Sequence, residues 1–135
     1  MYEIKQSNKE LNVVEEYALI SSPASKMVKE IPDNTPINVK VYAFFTRTET
    51  DNKGEEKVTD LLSVLTEDNN VYCTQSETFK RSFCDCATAS RDFNIIPIIK
   101  MSGTTKNGRD YVDCTLNIEK ANELLASIKP KKGGK

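Results

Sequence analysis

Histidine is absent from this sequence, and that absence removes a large part of enzymology. Without imidazole there is no Ser-His-Asp triad, no Cys-His dyad and no His-ligated metal. Tryptophan is absent too, so any aromatic contact surface has to come from five Tyr and five Phe. No apolar run approaches the ~18 residues that suggest a membrane span. The opening MYEIKQSNKE lacks the apolar stretch of a secretory signal. A cytoplasmic location is therefore expected, where the four cysteines stay reduced.

What is present suits a single soluble domain with tails. The chain has 135 residues, and a domain takes roughly 100–200. Folding at this size buries ~68% of the unfolded surface, so neither disulfides nor a metal are required. The net charge of −1 hides an asymmetry. Residues 1–35 hold four basic and six acidic side chains, and residues 36–75 hold four and seven. Residues 76–135 hold eleven and seven, a local +4. Lys129, Lys131, Lys132 and Lys135 close the chain without an acid among them. Residues 129–135 read as a basic disordered tail that keeps the protein soluble or meets phosphate.

Residues 1–36 read as an N-terminal extension that packs on the domain. Leu11 to Ile20 has strand character. Ser22-Pro23 supplies a cap and a first helical position for a short helix over Ala24 to Ile31. From Ile37 the pattern is firmer. Ile37 to Thr48 alternates with period two, placing Ile37, Val39, Val41, Ala43 and Phe45 inward and Lys40, Tyr42 and Phe44 outward. The polar ETDNKGEE run makes a long hairpin loop before a second strand, Val58 to Thr66, and Val71 to Thr74 makes a third. The period changes there. Thr74 or Ser76 caps a helix from Glu77 to about Ala89, with Phe79, Phe83 and Cys86 as its buried stripe. Asn94 to Met101 returns to strand. Asn107-Gly108 is a hairpin turn, and Arg109 to Ile118 alternates with Val112, Cys114, Leu116 and Ile118 inward. Glu119 to Ile128 forms a terminal helix on an apolar face of Leu124, Leu125 and Ile128.

The expected fold is thus mainly β with short helices. Over residues 37–128 it is a five-stranded, OB-fold-like Greek-key barrel with a helix between strands three and four. That fold binds oligonucleotides across its strands and hairpin loops. The outward residues suit such a ligand. Lys40, Tyr42, Phe44, Tyr72, Arg109 and Tyr111 interleave rings with cations, and Lys106 joins Arg109 at the second hairpin. Unpaired bases stack on rings while cations meet phosphates, each stacked base being worth ~1–3 kcal/mol. The competing reading buries Tyr42 and Phe44 beneath Leu11 to Ile31, since large apolar side chains on a strand usually find cover.

Neither a metal nor a cofactor is expected. Cys84 and Cys86 lie two apart on a predicted helix, about 200° around its axis, and cannot share one ion. Cys73 and Cys114 read as barrel-interior residues. No GxGxxG, Walker or HExxH pattern occurs, and no catalytic set emerges.

Leu61 to Thr66 (LLSVLT), Val71 to Phe83 (VYCTQSETFKRSF) and Lys106 to Leu116 (KNGRDYVDCTL) resemble small bacteriophage-encoded single-stranded DNA-binding proteins. The likeness spans about Ile37 to Ile118. It implies a non-enzymatic protein that coats single strands during replication or recombination, with replication or recombination proteins as further partners. The C-terminus departs from bacterial relatives, which end in an acidic tail with an apolar tip; this chain ends KPKKGGK. Nucleic-acid contact by Lys129, Lys131 and Lys132 is expected in place of partner recruitment. A structural or assembly component of a phage particle is the alternative.

Overall fold

One strand organises the molecule. In the computed structural model, which describes residues 1–21 and 25–128, β3 (Pro36–Thr50) pairs on one side with β4 (Glu56–Thr66). Its other side is shared. Residues 36–39 pair with β6 (Ile96–Thr104), and residues 43–47 pair with β1 (Tyr2–Ser7). The path runs β2 (Ser25–Met27), β5 (Val71–Thr74), β4, β3, β6, β7 (Asp110–Leu116), with β1 beside β3. The sheet curls into a half-barrel, and the fold is mainly β with three helices.

Among the described residues the sheet has seven strands: the N-terminal segment adds β1 and β2 to the five expected from Ile37 onward. The polar sequence of β1 does not announce a strand. The stretch Leu11–Ile20, expected as a strand, is instead the helix α1 (Val13–Ile20). The reason is a capping box: the Asn12 side chain accepts from the Glu15 N–H at 2.8 Å, and the Asn12 N–H donates back to Glu15 at 3.1 Å. The helix expected over Ala24–Ile31 is also absent where the chain is described. Residues 25–27 pair in parallel with β5, and a single 3-10 turn, Val28–Glu30, follows. Pairing satisfies the outer edge of β5, an alternative the local sequence does not reveal. The expected Ser22 cap and Pro23 start lie outside the described residues.

The largest correction is at Lys40. Val39 stands opposite Thr66 and Val41 opposite Leu65, so Lys40 is the extra residue of a β-bulge. Asn8 fills it, donating to the Lys40 carbonyl at 3.2 Å and accepting from the Tyr42 N–H at 2.9 Å. One inserted residue exchanges the faces of everything that follows. Tyr42 and Phe44, expected outward, join Ile37 and Val39 on the inner face. Val41, Ala43 and Phe45, expected on that inner face, turn to the other side of the sheet. Strand β5 is inverted with them: Tyr72 packs on the inner core, while Cys73 lies on the outer face against Met27.

Two cores result. The inner one is closed by α2 (Glu77–Ala89), the helix the sequence predicts, capped by Ser76 accepting from the Phe79 N–H at 3.1 Å. Phe79 and Phe83 stack with centroids 6.4 Å apart, and Tyr42 meets Phe83 edge-on at 5.0 Å. The outer core gathers Val41, Ala43, Leu65 and Val71 beneath Leu19 of α1. The last helix, α3 (Ile118–Ser127), starts on an Asn117 cap and buries Ala121. Ile118, Leu125 and Ile128, expected to face the core, are exposed; Ile118 leaves the strand alternation because the Asn117 cap starts the helix there.

Candidate nucleic-acid interface

The structure separates the residues that the sequence groups. Tyr42 is 9% exposed and Phe44 half-buried, in edge-to-face contact at 5.8 Å. Burial, more than the nearby Cys84, pushes the Tyr42 hydroxyl above its ordinary range. Tyr72 is half-buried against the same core. Tyr42 and Tyr72 line none of the grooves described below, while Phe44 borders a groove of about 450 Å³ with Lys5, Lys80 and Arg81. Lys40 is exposed at the bulge, on the side of Glu15 rather than of the other predicted cations. Lys129, Lys131 and Lys132 lie outside the described residues.

Lys106, Arg109 and Tyr111 are brought together on the β6–β7 hairpin, all exposed. Gly108 takes φ +83° in its turn, a left-handed conformation that costs glycine little. The Thr105 and Arg109 backbones close the turn at 2.8 Å. Tyr111 stands opposite Gly103 across the strand pair. A Cβ at Gly103 would lie 2.5 Å from the Tyr111 oxygen, so the ring rests over bare backbone. That holds the tyrosine in place while 39% of it stays exposed. It is a fixed, exposed ring of the kind sought on β3.

Beside this ring is a cleft of about 1160 Å³ between the β6–β7 hairpin and the segment joining β5 to α2. Lys29, Glu30, Gln75, Ser102, Thr104 and Tyr111 contribute to its walls. Its electrostatics are nearly balanced. Lys100 is 4% exposed, and its ammonium meets Asp33 at 2.9 Å. The Ser102 hydroxyl also donates to Asp33, at 2.6 Å. Ser102 first and Lys100 second hold the Asp33 carboxyl below the usual carboxylate range. This pair latches the turn before β3 onto β6. Of the other charges lining the cleft, Lys29 is offset by Glu30 and Asp110. The cleft therefore offers stacking and hydrogen bonds more than net positive charge.

A second groove, of about 300 Å³, lies on the outer face of the sheet beside the end of α1. Phe45, Arg47, Ser63 and Gln75 line it. Phe45 is buried and forms part of the floor. The Arg47 guanidinium sits 6.0 Å from the Phe45 ring centre and donates to the Ile20 carbonyl. Ser63 is buried, and its hydroxyl has no hydrogen-bond partner among the described residues. Met27 and Gln75 contribute to the lining of both depressions. Sequence reasoning misses Phe45 and Arg47 because unbroken alternation sends both toward the inner core and only the bulge turns them to the other face; Gln75, between β5 and α2, carries no local signal.

Among the described residues no helix is long and apolar enough to cross a membrane, and no three acid or cysteine side chains cluster as metal ligands. The chain matches no protein-family model, no curated protein and no solved structure.

Proposed function

We propose that this is a non-enzymatic, sequence-tolerant single-stranded DNA-binding protein with an OB-fold-like barrel, which protects or organises single strands during phage DNA replication or recombination. The observation that carries the reading is the Tyr111 ring, exposed over Gly103 beside a cleft of about 1160 Å³. Lys106 and Arg109 are exposed on the same hairpin, and a second groove over Phe45 and Arg47 shares Met27 and Gln75 with the cleft. An exposed ring beside a groove suits unpaired bases, and cations near it suit phosphates. The strand path β5-β4-β3-β6-β7, with α2 between β5 and β6, supports the barrel assignment. Helix α1 covers only part of the outer face and leaves the groove beside it open.

The test is fluorescence anisotropy with a labelled single strand of about 30 nucleotides and the same duplex, each at low and high salt. Single strands bind more tightly than duplex at both salts. Equal affinity for the two, or no binding at low salt, overturns the reading.

One observation favours the assembly-component alternative. Helix α1 turns Val13, Val14 and Tyr17 to solvent at 83%, 76% and 66% exposure. An apolar helix face of this kind suits protein contact. If the DNA test fails and Val14→Asp abolishes incorporation into particles, that reading replaces the first.

A further inference from the structure

Cys86 and Cys114 are 28 positions apart in sequence but share one place in the fold. Cys86 sits on the buried stripe of α2, and Cys114 on the inward side of β7. Both belong to the inner core, where α2 packs directly on β7, and the Cys114 thiol also lies 3.9 Å from the Phe79 carbonyl of α2. They are nevertheless not sealed off. Both line a surface pocket of about 290 Å³, whose rim includes the exposed residues Asp85, Ala89 and Thr115. No other pair of cysteines among the described residues shares a pocket: Cys84 is exposed on another face of α2, and Cys73 lies on the outer side of the sheet.

We propose that Cys86 and Cys114 form a dithiol site that small-molecule disulfides oxidise to an intramolecular disulfide joining α2 to β7. In the first step the Cys86 thiolate attacks one sulfur of the small disulfide, forming a mixed disulfide and expelling one thiolate. In the second, Cys114 gives up its proton to that expelled thiolate, and its sulfur attacks the Cys86 sulfur of the mixed disulfide. The second small thiolate leaves and takes the proton that Cys86 had released. Two protein thiols are oxidised to one disulfide, and one small disulfide is reduced to two thiols. Contact between the two thiols favours the Cys86 thiolate and, with burial, disfavours that of Cys114, so the steps are written with Cys86 attacking; the reverse order gives the same disulfide and the same balance. The bond would tie the helix that closes the inner core to the strand that carries Tyr111. The inference does not depend on what the protein binds.

The experiment uses the full chain with Cys84→Ser, so that the exposed thiol cannot compete, folded in native buffer with oxidised glutathione. Intact mass falls by about 2 Da, the two hydrogens lost on oxidation. Trypsin then releases the segment 82–91 linked to the segment 110–120. In a Cys114→Ser version the mixed disulfide accumulates at Cys86 instead. A persistent glutathione adduct on Cys86 with Cys114 intact, a disulfide through Cys73, or no change in mass each overturns the proposal.

Discussion

Replacing Tyr42 with alanine tests the feature on which the whole interface turns. The bulge at Lys40 makes Tyr42 a core residue and not a docking ring. It is 9% exposed and meets Phe83 and Phe44 edge-on at 5.0 and 5.8 Å. A buried aromatic side chain withdraws roughly 150–250 Å² from water, which at ~25 cal/mol per Å² is ~4–6 kcal/mol as an upper bound. Aromatic truncations in cores cost ~3–5 kcal/mol. Against a total stability of ~5–15 kcal/mol, Tyr42→Ala consumes a large fraction. The midpoint of thermal unfolding should drop by roughly 6–20 °C, at about 2–4 °C per kcal/mol. Urea denaturation followed by circular dichroism gives the free energy directly. Tyr42→Phe keeps the ring and removes only the hydroxyl's bond to Gln6, a cost of ~0.5–1.5 kcal/mol. Tyr111→Ala is the contrast: its ring is exposed over Gly103, so stability changes by under ~1 kcal/mol. Should Tyr42→Ala prove as stable as the parent, the register of β3 is unbroken at Lys40. The ring then faces solvent and the groove over Phe45 does not exist.

Tyr111→Ala is expected to weaken single-strand binding by ~1–3 kcal/mol, and Gly103→Ala to weaken it too, because the new Cβ displaces the ring; unchanged anisotropy titrations for both would exclude the hairpin from the interface. Deleting Pro130 to Lys135 removes three lysines, so the salt dependence of single-strand binding should shrink by up to roughly two units of log–log slope. An identical slope makes the tail a bystander. The Asp33 latch predicts an acid sensitivity. Its carboxyl is held below the unfolded value by Ser102 and Lys100, so its stabilisation is present above about pH 4 and is lost as pH falls through the folded value. Asp33→Asn should lower stability at neutral pH and flatten the decline below about pH 4; parallel pH profiles for the two proteins would refute the latch.

Local chemistry settled a good part of this protein from sequence alone. The Ser76 cap and the spacing of Phe79, Phe83 and Cys86 determined α2 and its buried face. Asn107-Gly108 determined the second hairpin, and alternation from Val112 to Leu116 determined which side of β7 packs on the core. In each case the information sits within one turn of helix or a few strand positions. The capping box at Asn12 and Glu15 was legible in the same way, though the apolar ends of Leu11–Ile20 point to a strand. Tertiary structure decided the rest. A β-bulge leaves no local signature at Lys40, since Val39-Lys40-Val41-Tyr42 alternates as well as any strand. The bulge exists because β3 must change partners there, from β6 to β1, and because Asn8, 32 residues away, satisfies the backbone it frees. Side-chain period on a strand is two, so that single long-range event moved Tyr42 and Phe44 into the inner core and carried Phe45 and Arg47 to the opposite faces from those the alternation assigns.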